Sequence, residues 1–233
     1  MPRRPRHTPG GMVFHVINRS VARHTIFHKP EDYAAFERVI AEAHARLPIR
    51  ILAYTLMPNH WHFVLWPRTD TELPEFVKWL SLTHTQRWHA HYHSSGTGHL
   101  YQGRYKSFPV QGNLYLLVVL RYVERNALRA NLAARAEDWK WSSLFRRHKG
   151  SGVDILSNWP INRPADWLDF VNEPQTQAEL DALRQSVHRG SPFGDDDWQK
   201  QAASELGLEA TMRPRGRPRK VQEDDSEEEN NDS

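Results

Sequence analysis

The 233-residue chain contains no cysteine, which excludes disulfides, thiolate metal sites and a cysteine nucleophile. No run approaches the roughly 18 apolar residues of a membrane span, and the arginine-rich start, MPRRPRHTPGG, lacks the apolar stretch of a secretion signal. A cytoplasmic protein without membrane attachment is expected. Internal repeats are also missing, which argues against solenoid and propeller architectures. Acidic charge is scarce until the end of the chain. The last thirteen residues, VQEDDSEEENNDS, hold seven acids and no base, so residues 1–220 carry 31 basic against 21 acidic residues. A formal net charge of +3 therefore conceals a body at +10. That balance suits a polyanionic partner, because lysine and arginine that neutralise phosphates release counterions largely without regard to sequence.

A hydrophobic fraction of 39% supports a core, and the length allows one domain of about 150 residues plus an appendage. Alternation and apolar stripes predict a strand at 12–18, a helix over 30–47 with Ala34, Val39, Ala43 and Leu47 on its inner face, and strands at 49–56 and 60–66 joined by a short turn. A long helix from 69, a strand at 103–110 and a helix over 113–132 follow. The order βαββαβ is the signature of an α+β, ferredoxin-like fold, an antiparallel sheet with helices on one face. After residue 150 the composition changes. Proline- and tryptophan-bearing turns lead into a helix closed by Gly190 and a second helix over 195–206 stopped by Gly207. Three segments are expected: a domain over 1–150, a helical extension over 151–212, and a disordered tail over 213–233.

The stretch MPNHWHFVLW places His60 and His62 two residues apart on a strand, so both imidazoles point to one face. Two nitrogen donors make half of a metal site. Further on, LRYVERNALRA sets Tyr122 and Asn126 one helical turn apart, with Arg125 and Arg129 along the same stripe. Such a face suits a phosphate better than an apolar core. Tyr115 lies on the same helix, seven residues before Tyr122, but lacks the amide four residues later. His84, His89, His91 and His93 read as an exposed helical cluster without metal chemistry.

MPNHWHFVLW resembles the HUH motif (histidine, bulky apolar residue, histidine) of single-tyrosine HUH transposases, and YLLVVLRYVERNALRANL resembles the catalytic helix of the REP-associated tyrosine transposases among them. HVINRSV, LYQGRYKSFPVQ, WKWSS and RGSPFGDDDWQKQAASELGLEATMRPRGRPRK support the likeness, which touches most of residues 10–220. The resemblance implies that His60, His62 and Asn126 bind a divalent metal, Mg2+ or Mn2+, and that Tyr122 is the nucleophile. Family members cut single-stranded DNA with such a phenolate, leaving a 5′-phosphotyrosine and a free 3′-OH. A free tyrosine, with a pKa of about 10, needs help to attack at neutral pH. A metal and arginines nearby would supply it and polarise the scissile phosphate. The implied substrates are hairpins of repetitive extragenic palindromes, and the implied setting is a bacterial cytoplasm with the protein on the nucleoid. Two rivals are a DNA-binding protein of this fold that no longer cuts and a metal-dependent hydrolase with a water nucleophile.

Beyond the core, Arg3, Arg4 and Arg6 form a candidate arm for the foot of a DNA hairpin. RPRGRPRK at 213–220 looks like an AT-hook, in which Arg215, Arg217 and Arg219 would lie in the minor groove of A·T-rich duplex. Nine tryptophans permit base stacking. Trp61, Trp66 and Trp88 are the candidates, with Trp61 expected in the core. A monomer is expected, the segment beyond 150 taking over surfaces that a partner would otherwise supply.

Overall fold

The computed structural model describes residues 7–150 and 155–213. Arg3, Arg4, Arg6, Arg215, Arg217 and Arg219 lie outside the described residues. Four strands, β1 (Val13–Arg19), β2 (Arg50–Met57), β3 (His60–Trp66) and β4 (Lys106–Val110), form an antiparallel sheet in the order β2-β3-β1-β4. With α1 (Pro30–Arg46) between β1 and β2 and α2 (Glu72–His91) between β3 and β4, the chain follows the expected ferredoxin-like path. β2 and β3 are a tight hairpin turning through Pro58 and Asn59, with Met57 opposite His60. The turn is clamped from outside, because the backbone N–H groups of Ile26 and Phe27 both donate to the Pro58 carbonyl.

Helices cover both faces of the sheet, where the sequence pattern led us to expect one. Strand alternation sends Phe14, Val16, Trp61, Phe63 and Leu65 to the first face, against α1 and α2. The inner stripe of α1 is Tyr33, Phe36, Val39, Ile40 and Ala43; Ala34 is only partly buried, because the larger aromatic faces set the rotation of the helix. On the second face Val13, Val64, Phe108 and Val110 meet Leu116, Val119, Leu120 and Val123 of α3 (Leu114–Glu124). Trp167 and Val171 of α6 (Trp167–Asn172), Leu183 of α7 (Gln177–Arg189) and Phe193 close that same core. Residues on either side of 150 thus share one apolar cluster, which supplies the second layer. The predicted long helix at 113–132 splits at Arg125 into α3 and the single turn α4 (Asn126–Arg129). Three short helices escaped the sequence reading, α5 (Ser143–Lys149), α6 and a last turn at Glu209–Met212. α8 (Asp196–Leu206) and α9 (Glu209–Met212) end the described chain, and the Gly190 and Gly207 caps adopt the left-handed conformation expected of them. Among the described residues, no helix is long and apolar enough to cross a membrane.

Candidate active site

The second face holds the chemistry. His60 and His62 leave β3 on the side facing α3, their ring centroids 5.0 Å apart, while Trp61 between them is fully buried against α1 and α2. Tyr122 on α3 meets this pair: its ring lies 5.9 Å from that of His62, edge-on. Position 122 is anchored through its neighbours. The Thr55 hydroxyl, on the residue opposite His62, donates to the Val123 carbonyl at 2.7 Å. The buried Glu124 carboxylate accepts from Ser143 Oγ and Trp167 Nε1, each at 2.7 Å. Arg121 Nη2 donates to the Glu173 carbonyl at 2.8 Å, with its guanidinium over the Phe170 ring. Residues 121, 123 and 124 are thus tied to β2, to Ser143 and to the segment 167–173, which leaves the Tyr122 ring little freedom to drift.

Asn126 is buried beside the tyrosine. Its Oδ1 accepts from Arg129 Nη2 at 2.7 Å, an orientation of the amide dictated by a guanidinium that can only donate. The guanidinium of Arg129 sits 4.3 Å from the centre of the Tyr122 ring. Asn126 Nδ2 and Arg129 Nη1 are both buried without a partner, so the pair has unspent donors at the site. Arg125 turns away. Its Nη1 donates to the carbonyls of Val171, at 2.9 Å, and Asn172, where it caps the C-terminal end of α6. The structure therefore brings Tyr122, His60, His62, Asn126 and Arg129 together and places Arg125 in the packing of the extension. Tyr115 is not in the group and packs on Phe193 instead.

One residue of the cluster was missed. His15 of β1 is fully buried, and its Nε2 lies 2.8 Å from His62 Nδ1. The available signal was a polar residue inside the apolar run VFHVI, at an inward position of the alternation. The histidine cluster on α2 also differs from expectation. His84 is buried rather than exposed, with its Nδ1 accepting from Tyr101 Oη at 2.6 Å while Trp61 Nε1 donates to that same hydroxyl at 2.9 Å. It is a structural relay under the first face.

Electrostatics keep the site imidazoles neutral. Burial, then the charges of Arg19 and Arg129, lowers the pKa of His60 to about 3. Burial does the same to His15, to about 3, and together with the neighbouring rings and arginines takes His62 well below the usual histidine value. All three rings thus offer lone pairs at neutral pH, the state in which imidazole binds a metal. Among the described residues, no three histidine or acidic side chains assemble into a metal-holding group.

Tyr122 opens onto a cleft of about 680 Å³ lined by Arg19, Arg23, Arg104, Lys106, Arg129 and Arg184, and no acidic side chain lines it. Arg23 reaches the cleft from a turn in which Ala22 and Arg23 both have positive φ, 50° and 60°. Left-handed backbone costs a non-glycine residue about 1–2 kcal/mol, a strain found where a side chain is aimed for a purpose. Arg184 and His188 come from α7, well outside the βαββαβ core. The chain after α7 holds that wall in place: Phe193 N–H donates to the Pro109 carbonyl and Gln111 N–H to the Phe193 carbonyl, both at 2.9 Å, along the exposed edge of β4.

A tyrosine set edge-on to the neutral His62, at a cleft walled by cations, suits a protein that acts on nucleic-acid phosphodiesters. The family model of IS200-like transposases matches residues 10–126, just over half of the chain and all of His60, His62, Tyr122 and Asn126. The chain belongs to that family of HUH-type, DNA-binding transposases. Among solved structures, it is similar to a REP-associated tyrosine transposase bound to a REP hairpin, at 16% identity over 76% of this chain and 99% of the other, with a TM-score of 0.48. A candidate transposase from Deinococcus radiodurans R1 is similar at 19% identity over 53% of this chain and 96% of the other, with a TM-score of 0.36. No curated protein matches the chain.

Proposed function

We propose that the protein is a metal-dependent enzyme that nicks and rejoins single-stranded DNA at hairpins of palindromic repeats, with Tyr122 as nucleophile. The observation that carries this reading is the seating of the Tyr122 ring 5.9 Å from His62 and under Arg129, at the cleft lined by cations. In the proposed step, Tyr122 Oη attacks the scissile phosphorus, a bond forms between them, and the bond from phosphorus to the 3′-oxygen breaks. The phenol gives up its proton and the departing 3′-oxygen gains one. The products are a 5′-phosphotyrosine and a free 3′-OH. The covalent link conserves the phosphodiester, so a second 3′-OH can attack it and complete strand transfer without ATP.

The donor set fits a divalent cation. Asn59 Nδ2 donates to the Arg23 carbonyl at 3.0 Å, so its Oδ1 is the atom that takes the Nδ1–H of His60 at 2.6 Å, which leaves Nε2 of His60 as a free donor. Two imidazoles with oxygen from the substrate leave open positions and suit Mg2+ or Mn2+, though the ligand set alone would also admit zinc. Asn126 as third ligand would have to share its Oδ1 with Arg129, an arrangement an amide oxygen with two lone pairs allows. When bound, the metal supplies charge to polarise the scissile phosphate. Arg129, Arg19 and Lys106 offer further positive charge where phosphate charge develops. The hairpin preference rests on the family resemblance; the arm of Arg3, Arg4 and Arg6, the A·T-rich duplex contact of Arg215, Arg217 and Arg219, the division at 150 and 212, and the monomeric state belong to the same proposal and rest on the sequence.

The test is incubation with a single-stranded palindrome from the host genome plus Mg2+ or Mn2+, read on a denaturing gel. A protein–DNA adduct that needs metal and is absent from Tyr122→Phe supports the reading. Binding without an adduct, across several palindromes and both metals, replaces it with a DNA-binding protein that no longer cuts; cleavage surviving in Tyr122→Phe replaces it with a hydrolase.

A further inference from the structure

His15 has no place in the nicking step, yet it is built into the site. It sits in the sheet face beneath Tyr122, its ring 4.8 Å from that of Phe108 and 5.0 Å from that of His62. Its Nε2 meets His62 Nδ1 at 2.8 Å, while its own Nδ1 is buried without a partner. A phenylalanine or leucine would fill this space without the cost of burying an imidazole that can satisfy only one of its two nitrogens. The position therefore serves its neighbour.

We propose that His15 is a positioning residue for the metal pair: its Nε2 accepts from the Nδ1–H of His62, which holds that ring in place and leaves His62 Nε2 as the lone pair beside His60. The inference rests on the reading that His60 and His62 hold a divalent cation. It gives each imidazole its own outer partner. His60 has Asn59, whose amide is oriented by the Arg23 carbonyl, and His62 has His15. The two partners come from different parts of the fold. Asn59 belongs to the hairpin turn, one residue before His60, whereas His15 reaches His62 only through strand pairing. In the β1–β3 register Ile17 lies opposite His62 and Val64 opposite His15, so the two histidines are diagonal neighbours on one face. In the proposed arrangement the proton of His15 sits on Nδ1 and that of His62 on Nδ1, one proton per ring. Outer partners of this kind orient ligating histidines, and their loss costs about 10–100-fold in metal affinity.

The experiment measures Mn2+ binding to the full-length protein without DNA, by titration with electron paramagnetic resonance of the free ion. His15→Phe keeps a ring against Phe108 and removes the acceptor. His15→Asn also removes it, because its carbonyl falls short, and carries the comparison if the phenylalanine variant does not fold. His15→Gln returns an oxygen at about the depth of Nε2. The expected order is wild type tightest, then Gln, then Asn and Phe about 10–100-fold weaker, with thermal midpoints close to wild type. Wild-type affinity in Asn and Phe, alongside loss in His62→Ala, overturns the role of His15 and leaves the metal reading standing. Equal loss in Gln and Phe, the pattern of a merely structural residue, overturns it as well. Wild-type affinity in His60→Ala and His62→Ala removes the metal reading and this inference together.

Discussion

On one side of the sheet, β1 and β3 present Phe14, Val16, Trp61, Phe63 and Leu65 to two long helices; on the other, the same two strands present His15, Ile17, His60 and His62 to α3. The first face makes a conventional aromatic core in which even the buried polar groups, Tyr101 and His84, are paired with each other. The second holds two buried imidazoles, His15 and His62, the partly buried His60, a tyrosine and an arginine, with orphaned nitrogens on His15, Asn126 and Arg129. Unsatisfied polar groups are expensive in a well-packed fold; Ser81 and His89 on α2 also carry one each, but those of His15, Asn126 and Arg129 stand together around the tyrosine. Adjacent residues on one strand thus divide the work, stability going to one face and chemistry to the other.

That division can be broken from either side. The largest effect is expected from Tyr122→Phe, which removes one hydroxyl from the second face. The covalent adduct should vanish from a denaturing gel, while the thermal midpoint stays near wild type because the packed ring is retained. Phe63→Ala does the reverse. Removing a fully buried ring from the first face should cost about 3–5 kcal/mol in denaturant unfolding, with adduct formation per folded molecule unchanged. Glu124→Ala tests the link between the two roles. It strands the buried donors of Ser143 and Trp167, so a loss of about 1–3 kcal/mol is expected together with slower nicking, since Tyr122 loses a nearby anchor. The smallest effect is expected from Arg184→Ala, at the far wall of the cleft. Single-strand affinity should fall several-fold, and the slope of log affinity against log salt should drop by about 0.7, the share of one phosphate contact. An unchanged slope would place α7 outside the DNA path.

The strands, both long helices of the core and the helix carrying the tyrosine were legible because each is a long apolar or amphipathic run bounded by turn residues. The short helices α5 and α6 were not, since six or seven residues give little periodicity and their stability comes from packing against the sheet. Ala34 misled the reading of α1, because periodicity reports an apolar side chain without saying how much surface it buries. Arg125 shows the same limit at the site. Sequence spacing put it on the stripe of Tyr122, but the carbonyls at the end of α6, more than forty residues on, claimed its guanidinium. The second helical layer was invisible for a related reason: nothing local in residues 155–193 says which face of the sheet they will cover.

By itself the sequence determined that His60 and His62 share a strand face and that Tyr122 and Asn126 share a helix face, because those are consequences of backbone periodicity alone. It also determined the cationic body and the absence of thiol chemistry. Only the tertiary structure decided that the two faces meet, that Arg129 rather than Arg125 lies over the tyrosine, that α7 walls the cleft and that His15 stands behind His62. Each of these depends on strand register and helix docking between residues far apart in the chain, and such contacts are set by the packing of the whole core rather than by any local preference.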